Sequence, residues 1–262
     1  MNELNRRFWW HRTLPTVSSS GDSPVAILLT RIVTGAWLVV SATLVGCGSG
    51  MTTSSMGAAT TDAAAAAGNY LPLAVGMSWT YNITSAAGTT GQGTTSVEAN
   101  DMAPLAGQSA MRVRSVLLDG STLSWEQASG SSVLRVEEQQ VDQSGAVVVD
   151  KQYMPAILVL DESPAHLAAG ATWTEDYKEL KTPSSKGKAT KEEAQWTVES
   201  IDDTVTVPAG TYSCIRVRRI HSTSKTPSNT VSWYAAGVGR VRETGAGQNN
   251  DQTLELASTS MQ

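Results

Sequence analysis

From Tyr70 onward the chain is built of short runs rich in Val, Thr, Ile, Trp and Tyr, separated by Gly, Ser, Asn and Asp. Apolar and polar residues alternate within these runs, the period of a half-buried strand. The pattern predicts a first set of strands at Ser78–Thr84, Thr94–Ala99, Ala110–Leu118, Thr122–Gln127, Val133–Gln140 and Ala146–Met154. A second set follows at Thr172–Leu180, Ala189–Ile201, Tyr212–Ser222, Thr230–Tyr234, Gly239–Glu243 and Thr253–Ala257. In the third run Met111, Val113 and Leu117 share one face and Arg112 and Arg114 take the other. In the ninth, Ile215 and Val217 oppose Arg216 and Arg218, as a sheet with one face on a core requires. A helix is expected only around Pro155–Ala169, so the domain is all-β with little or no helix.

Several blocks recur in order. Leu73-Ala74-Val75-Gly76-Met77-Ser78-Trp79-Thr80 matches Leu167-Ala168-Ala169-Gly170-Ala171-Thr172-Trp173-Thr174. Pro104-Leu105-Ala106-Gly107 and Met111-Arg112-Val113-Arg114 match Pro208-Ala209-Gly210 and Ile215-Arg216-Val217-Arg218. Leu123-Ser124-Trp125 matches Val231-Ser232-Trp233. Ordered recurrence predicts an internally duplicated antiparallel sheet, with halves at about residues 70–154 and 165–258.

Upstream the pattern changes. Ile32–Gly46 is an apolar run of 15 residues preceded by Arg31, short for a bilayer span and suited to a signal-peptide core. It ends in Leu44-Val45-Gly46-Cys47, which resembles a bacterial lipobox. The resemblance implies cleavage after Gly46 and acylation of Cys47, whose chains would each contribute about 0.8 kcal/mol per buried CH2 to membrane binding. Residues 1–46 are then a lipoprotein signal peptide. Residues 47–69, rich in Gly, Ser, Thr and Ala, are a flexible tether, and residues 70–262 are the β-rich domain. Gly48, in the place of the aspartate that retains enteric lipoproteins at the inner membrane, points by the same resemblance to the outer membrane, facing the periplasm.

Of the 19 basic and 24 acidic residues, four and two lie in residues 1–46, so the remainder carries a net charge of −7. That balance argues against nucleic-acid binding. With Cys47 acylated, Cys214 is the one remaining thiol and no intramolecular disulfide forms. The only Phe lies in the leader, so five Trp and six Tyr supply the large aromatic side chains of the domain.

The segments Leu71-Pro72-Leu73…Gly76…Trp79-Thr80-Tyr81, Val207-Pro208-Ala209-Gly210-Thr211-Tyr212 and Trp233-Tyr234-Ala235-Ala236-Gly237-Val238-Gly239 resemble a bacterial family of exported lipoproteins with a domain of unknown function. That family is similar to the TapB-type proteins and to the LolA/LolB-like lipoprotein carriers. The resemblance spans Tyr70 to about Glu243 and implies a curved half-barrel sheet around a hydrophobic groove. It brings no catalytic residues.

Candidate chemistry is sparse. His166 and His221 have no metal-ligand spacing, and no Cys/His cluster exists, so no metal or other cofactor is expected. Ser222-Thr223-Ser224-Lys225 fits Ser-x-x-Lys but falls in a hairpin loop instead of at a helix start. Gly21-Asp22-Ser23 resembles an esterase motif but precedes the cleavage point, and Asn82-Ile83-Thr84 reads as strand. No enzyme activity is expected. Arg112, Arg114, Arg216 and Arg218 are candidates for one patch that takes anionic groups. Their ordinary role is cross-strand pairing with Glu126, Glu137, Glu138 or Glu243. Trp125 and Trp233 are the candidates for a ligand groove, and Trp79 and Trp173 for the core. Cys214 is read as a passive thiol on the face of Arg216.

The expected function is non-catalytic binding of a lipid, a lipoprotein acyl chain or another apolar ligand by a membrane-anchored envelope lipoprotein. The competing reading is a structural or adhesion module that binds a protein or glycan and has a filled interior.

Overall fold

The structure is a computed structural model that describes residues 68–118, 120–183, 187–222, 227–246 and 251–260. These residues lie in one compact unit, Gly57–Gln262. The expected signal peptide, Cys47 and its lipobox, most of the expected tether, and residues 223–225 of the Ser-x-x-Lys motif fall outside the described residues.

Twelve antiparallel strands follow one another: β1 Ser78–Ser85, β2 Thr90–Met102, β3 Ser109–Leu117, β4 Gly120–Ser129, β5 Ser132–Val141, β6 Val147–Asp161, β7 Thr172–Thr182, β8 Thr190–Val207, β9 Gly210–Ser222, β10 Ser228–Ala235, β11 Gly239–Ala246 and β12 Gln252–Ser260. Each of the twelve predicted strands is present, most of them longer than expected. The described residues contain no helix. Pro155–Asp161, expected as helix, continues β6, where Ile157, Leu158 and Leu160 are buried; the turns come after it.

The sheet closes. β1 pairs with β2 along Ser78–Thr84 and with β12 along Ser78–Ser85, so neighbours in sequence are neighbours around one barrel. The expected half-barrel made of two repeated units is corrected to a single closed barrel of twelve strands. Closure removes both sheet edges, which a half-barrel would have left open.

The seam between β6 and β7 is short. The ladder covers Asp150–Met154 against Lys178–Thr182 and stops where Pro155 brings no N–H. Beyond it the Glu175 carboxylate takes the place of a strand partner. Its Oε1 accepts from Leu158 N–H at 2.5 Å and its Oε2 from the Trp196 indole N–H at 3.2 Å.

Two apolar clusters fill parts of the inside. The first gathers Trp79, Tyr81, Ile83, Val97, Leu254 and Leu256, and the end of the β8–β9 hairpin packs on it with Val205 and Val207. Ala209 N–H, at that hairpin's tip, donates to Leu256 O. Trp79 donates its indole N–H to Val238 O at 2.6 Å, and a Cβ at Gly239 would stand 3.0 Å from the same nitrogen. The second cluster gathers Tyr153, Ile157, Leu158, Leu160, Trp196, Val198, Ile215 and Val217.

Gly76 and Gly170 both take positive φ, at 92° and 83°, in the turns that lead to Trp79 and Trp173. Their N–H groups donate to Val97 O and Val198 O, so these two matched blocks share a local geometry. Trp173 is only partly buried. It stacks between His166 and Trp196, with centroids 3.8 and 5.9 Å away.

On the outside, the loop between β2 and β3 folds over Trp125. Glu137, fully buried, receives Leu105 N–H at 2.7 Å and Ala106 N–H at 2.8 Å on one carboxylate oxygen, and Ala106 packs on the Trp125 cluster. Burial raises the Glu137 pKa against the lowering effect of those two donors. Glu137→Ala strands both buried N–H groups and should cost about 2 kcal/mol in urea unfolding. Glu137→Gln keeps an acceptor and should cost less than half as much.

Candidate functional site

The inner face of the barrel carries more charge than its strand pattern suggested. On β4 and β5 the inward positions include Ser124, Glu126, Arg135 and Glu138. Arg135 reaches Glu126 Oε1 through Nη2 at 2.7 Å and Glu138 Oε2 through Nη1 at 2.6 Å. Lys151 of β6 donates to the other oxygen of Glu138 at 3.0 Å, and Ser124 donates to Glu126 Oε1 at 3.0 Å. A smaller set recurs on β10 and β11. Arg240 Nη1 lies 2.7 Å from Glu243 Oε2, to which the Ser232 hydroxyl donates at 2.8 Å. Arg240 also stands 5.3 Å over the Tyr81 ring, and Tyr81 donates its hydroxyl to Arg240 O.

These side chains border a cavity of about 1220 Å³. Its wall is mixed: Leu71, Leu73, Trp79, Tyr81, Val113 and Leu117 line it together with the charged groups just named, and Tyr81 lies directly under Arg240. The floor is laid by the incoming chain. Tyr70 and Leu71 donate their N–H groups to Glu162 Oε1, and Gly237 N–H donates to Asn69 O. At the other end the cavity reaches the β3–β4 and β5–β6 hairpins at Leu118, Gly120, Asp142 and Gln143. Val116, Leu118 and Val148 also line it there and are 40%, 39% and 48% exposed. A second cavity of about 220 Å³ shares Arg135, Val159, Tyr234, Arg240 and Glu243 with the first.

Trp125 and Trp233 lie elsewhere and line neither cavity. Both sit on the outer face with their indole N–H groups on carboxylates: Trp125 donates to Asp101 at 2.8 Å and Trp233 to Asp203 at 3.0 Å. The same carboxylates hold the candidate arginines. Arg112 reaches Glu98 at 3.0 Å and Asp101 at 2.5 Å, and Arg114 shares Glu98. Arg216 reaches Glu199 and Asp203, each at 2.9 Å, and Arg218 shares Glu199. The four guanidinium groups do not form the candidate single patch: they lie in two separate clusters, and each takes the ordinary role of pairing with a carboxylate. In the barrel order β3 and β9 stand six strands apart, on opposite sides. Every one of the four arginines is paired, with Glu98, Asp101, Glu199 and Asp203 in place of the expected Glu126, Glu137, Glu138 or Glu243. Glu98 and Glu199 stand where the ladder skips a residue, and such bulges re-aim a side chain.

The reactive side chains are muted. Cys214 is 1% exposed, and burial together with Asp203 pushes its thiol up to about 12. His221 lies 2.7 Å from the Tyr177 hydroxyl; burial, Arg219 and Lys151 hold it down to about 4. His166 rests on Asp161, 2.6 Å away. Among the described residues no group of acidic, His and Cys side chains is placed to hold a metal ion.

The sequence held one signal for the lumen. On β9 the inward row Ile215, Val217 continues as Arg219 and His221, an apolar row that turns polar and takes up one cation, Arg219. Arg219 pairs in register with Trp196 and Thr230, and its guanidinium stands 5.2 Å over the Trp196 ring.

Burial alone would raise Glu138, but Lys151 and Arg135 outweigh it and lower its pKa to about 2. A carboxyl depressed in the folded state stabilises the fold above its ordinary range and loses that contribution as pH falls. Stability should therefore drop between about pH 4.5 and 2, and Glu138→Gln should flatten that part of the profile. At pH 7 the same substitution leaves Arg135 and Lys151 short of a buried partner and should cost about 3 kcal/mol by urea titration.

Comparison with known proteins adds distant likenesses. A protein of Parabacteroides distasonis ATCC 8503, described provisionally as a lipoprotein, aligns at 13% identity over 73% of this chain and 98% of its own, with a TM-score of 0.39. An exported protein of Bacteroides fragilis NCTC 9343, also provisionally described and with a YmcC-like fold, aligns at 13% identity over the same shares, with a TM-score of 0.32. No curated protein matches the chain. Residues 164–258, from the β6–β7 connection to the last strand, match the model of a DUF3108-like family.

Proposed function

We propose that this chain is a lipoprotein of the cell envelope, anchored through acylated Cys47, whose barrel binds a small amphiphilic molecule in its lumen without acting on it chemically. The observation that carries this reading is the hollow interior: a cavity of about 1220 Å³ lined by both apolar and charged side chains. Pockets of about 300–1,000 Å³ suffice for a drug-sized ligand, so a lipid-like molecule has room. A scaffold or adhesion module has no use for such a space. The expected apolar ligand becomes an amphiphile, because Arg135, Glu138, Lys151 and Arg240 border the same cavity as Trp79 and Leu117. The non-catalytic reading is supported by the buried, unreactive thiol of Cys214 and the depressed basicity of His221. Anchoring rests on the Leu44–Cys47 lipobox, and the outer membrane on Gly48.

Two measurements test the reading. Native mass spectrometry of the protein released from membrane nanodiscs should show a bound mass that organic extraction removes. Ser115→Trp, which projects an indole into the cavity, should abolish that mass while thermal unfolding stays within a few degrees of wild type. A bare mass that does not change when phospholipid or fatty acid is added would sink the proposal. For the anchor, Cys47→Ala should move the chain from the membrane fraction to the soluble fraction and remove metabolic labelling with palmitate.

A further inference from the structure

The smaller cavity is unbalanced in charge. Its lining holds three guanidinium groups, Arg135, Arg219 and Arg240, and one carboxylate, Glu243. Arg135 is compensated by Glu126 and Glu138, and Arg240 by Glu243. Arg219 has no such partner: no carboxylate of the described residues comes within ion-pair distance, and its Nε–H is buried without an acceptor. Its one direct contact of note is the face of Trp196. Glu175, a carboxylate on which the charge of Arg219 acts, is engaged instead by Leu158 N–H and the Trp196 indole. Arg240 likewise keeps a buried Nε–H with no acceptor. Arg219 is half-buried with its Nε–H shut away from water; holding a guanidinium there without an ion-pair partner is costly, and buried donors without acceptors are rare enough to need a cause. The neighbouring hydroxyl groups of Thr230 and Ser232 complete a polar pocket of about 220 Å³ that adjoins the larger, half-apolar one.

We infer that Arg219 receives the anionic head group, carboxylate or phosphate, of an amphiphile whose apolar part lies in the larger cavity. This rests on the proposed binding role and specifies its ligand. The head group supplies the missing charge, while Trp196 beneath the guanidinium fixes the plane in which its donors point. Arg135, which borders both cavities, is already balanced by Glu126 and Glu138 and does not compete for the anion.

Isothermal titration of the full chain in nanodiscs, with empty nanodiscs subtracted, tests this with four probes of equal tail length: decanoate, decyl phosphate, decanol and decyltrimethylammonium. At least one anionic probe should bind about tenfold or more tighter than decanol, the margin of one charge-assisted hydrogen bond, and the stronger of the two anions identifies the head group. Arg219→Gln should bring that probe to the affinity of decanol and leave decanol unchanged; Arg219→Lys should keep part of the preference. Equal binding of anionic and neutral probes by wild type, tighter binding of the cation, or an anionic preference that survives in Arg219→Gln would each overturn the inference while leaving a ligand-binding lumen in place. Wild-type selectivity decides the matter even where the variants do not fold. Failure of all four probes to bind would remove the binding role itself, and the inference with it.

Discussion

Closure of the sheet is the constraint on which the rest depends. Because β1 hydrogen-bonds to both β2 and β12, every inward side chain on the twelve strands faces into one enclosed space and must be packed, paired or left beside a void. An eight-stranded barrel is about as wide as its own side chains can fill, and the diameter grows with strand number. Twelve strands therefore enclose more volume than their residues occupy. The chain fills one region with Trp79, Tyr81, Ile83 and Leu254 and blocks the base with the β8–β9 hairpin and the segment Asn69–Leu73. What is left over is the cavity, bordered by Arg135, Glu138 and Lys151.

Bulges decide where charge goes. A regular strand sends alternate residues in and out, and a skipped position breaks that parity. At Glu98 and Glu199 the skip lets one acid on the outer face hold two arginines, with Asp101 and Asp203 joining each cluster to a tryptophan. Near Arg135 the skip leaves Glu137 outside, holding the loop over Trp125, while Glu138 turns inward to Arg135 and Lys151. Two adjacent glutamates thus do opposite jobs: one fastens a loop to the outside of the barrel, the other belongs to the lumen.

Strand positions were legible because alternation is local. All twelve runs became strands, and the opposition of Met111 and Val113 to Arg112 and Arg114 holds in the barrel. Closure was not legible, because the pairing of Ser78–Ser85 with Gln252–Ser260 joins the two ends of the domain and leaves no mark within either strand. The partners of the arginines were missed for a related reason: they sit at bulges, which period-two reading passes over. Composition points to Trp125 and Trp233 as groove residues, whereas parity sets Trp125 opposite Ser124 and Glu126, which face inward. The lumen itself was written in the row Ile215, Val217, Arg219, but a cation at the end of an apolar row reads equally well as a surface residue until the barrel is closed around it.

The interior charges bear on what the barrel is for. A buried ion pair seldom stabilises more than the hydrophobic residues that would fit in its place, and the desolvation of each ion costs several kcal/mol. The set Glu126, Arg135, Glu138 and Lys151 is well paired, so it offsets that cost without offering much net stability. Arg219, half-buried, has no ion-pair partner among the described residues, and its Nε–H has no acceptor. A sequence selected only for a stable scaffold would replace it with an aliphatic side chain like Val217 two positions earlier, and would narrow the lumen with larger residues at Ser115 and Ser124. The chain instead keeps small residues beside the void and, at its edge, a cation without an ion-pair partner. On the proposed reading, each of these choices becomes favourable once a molecule with an apolar body and a negative end occupies the space.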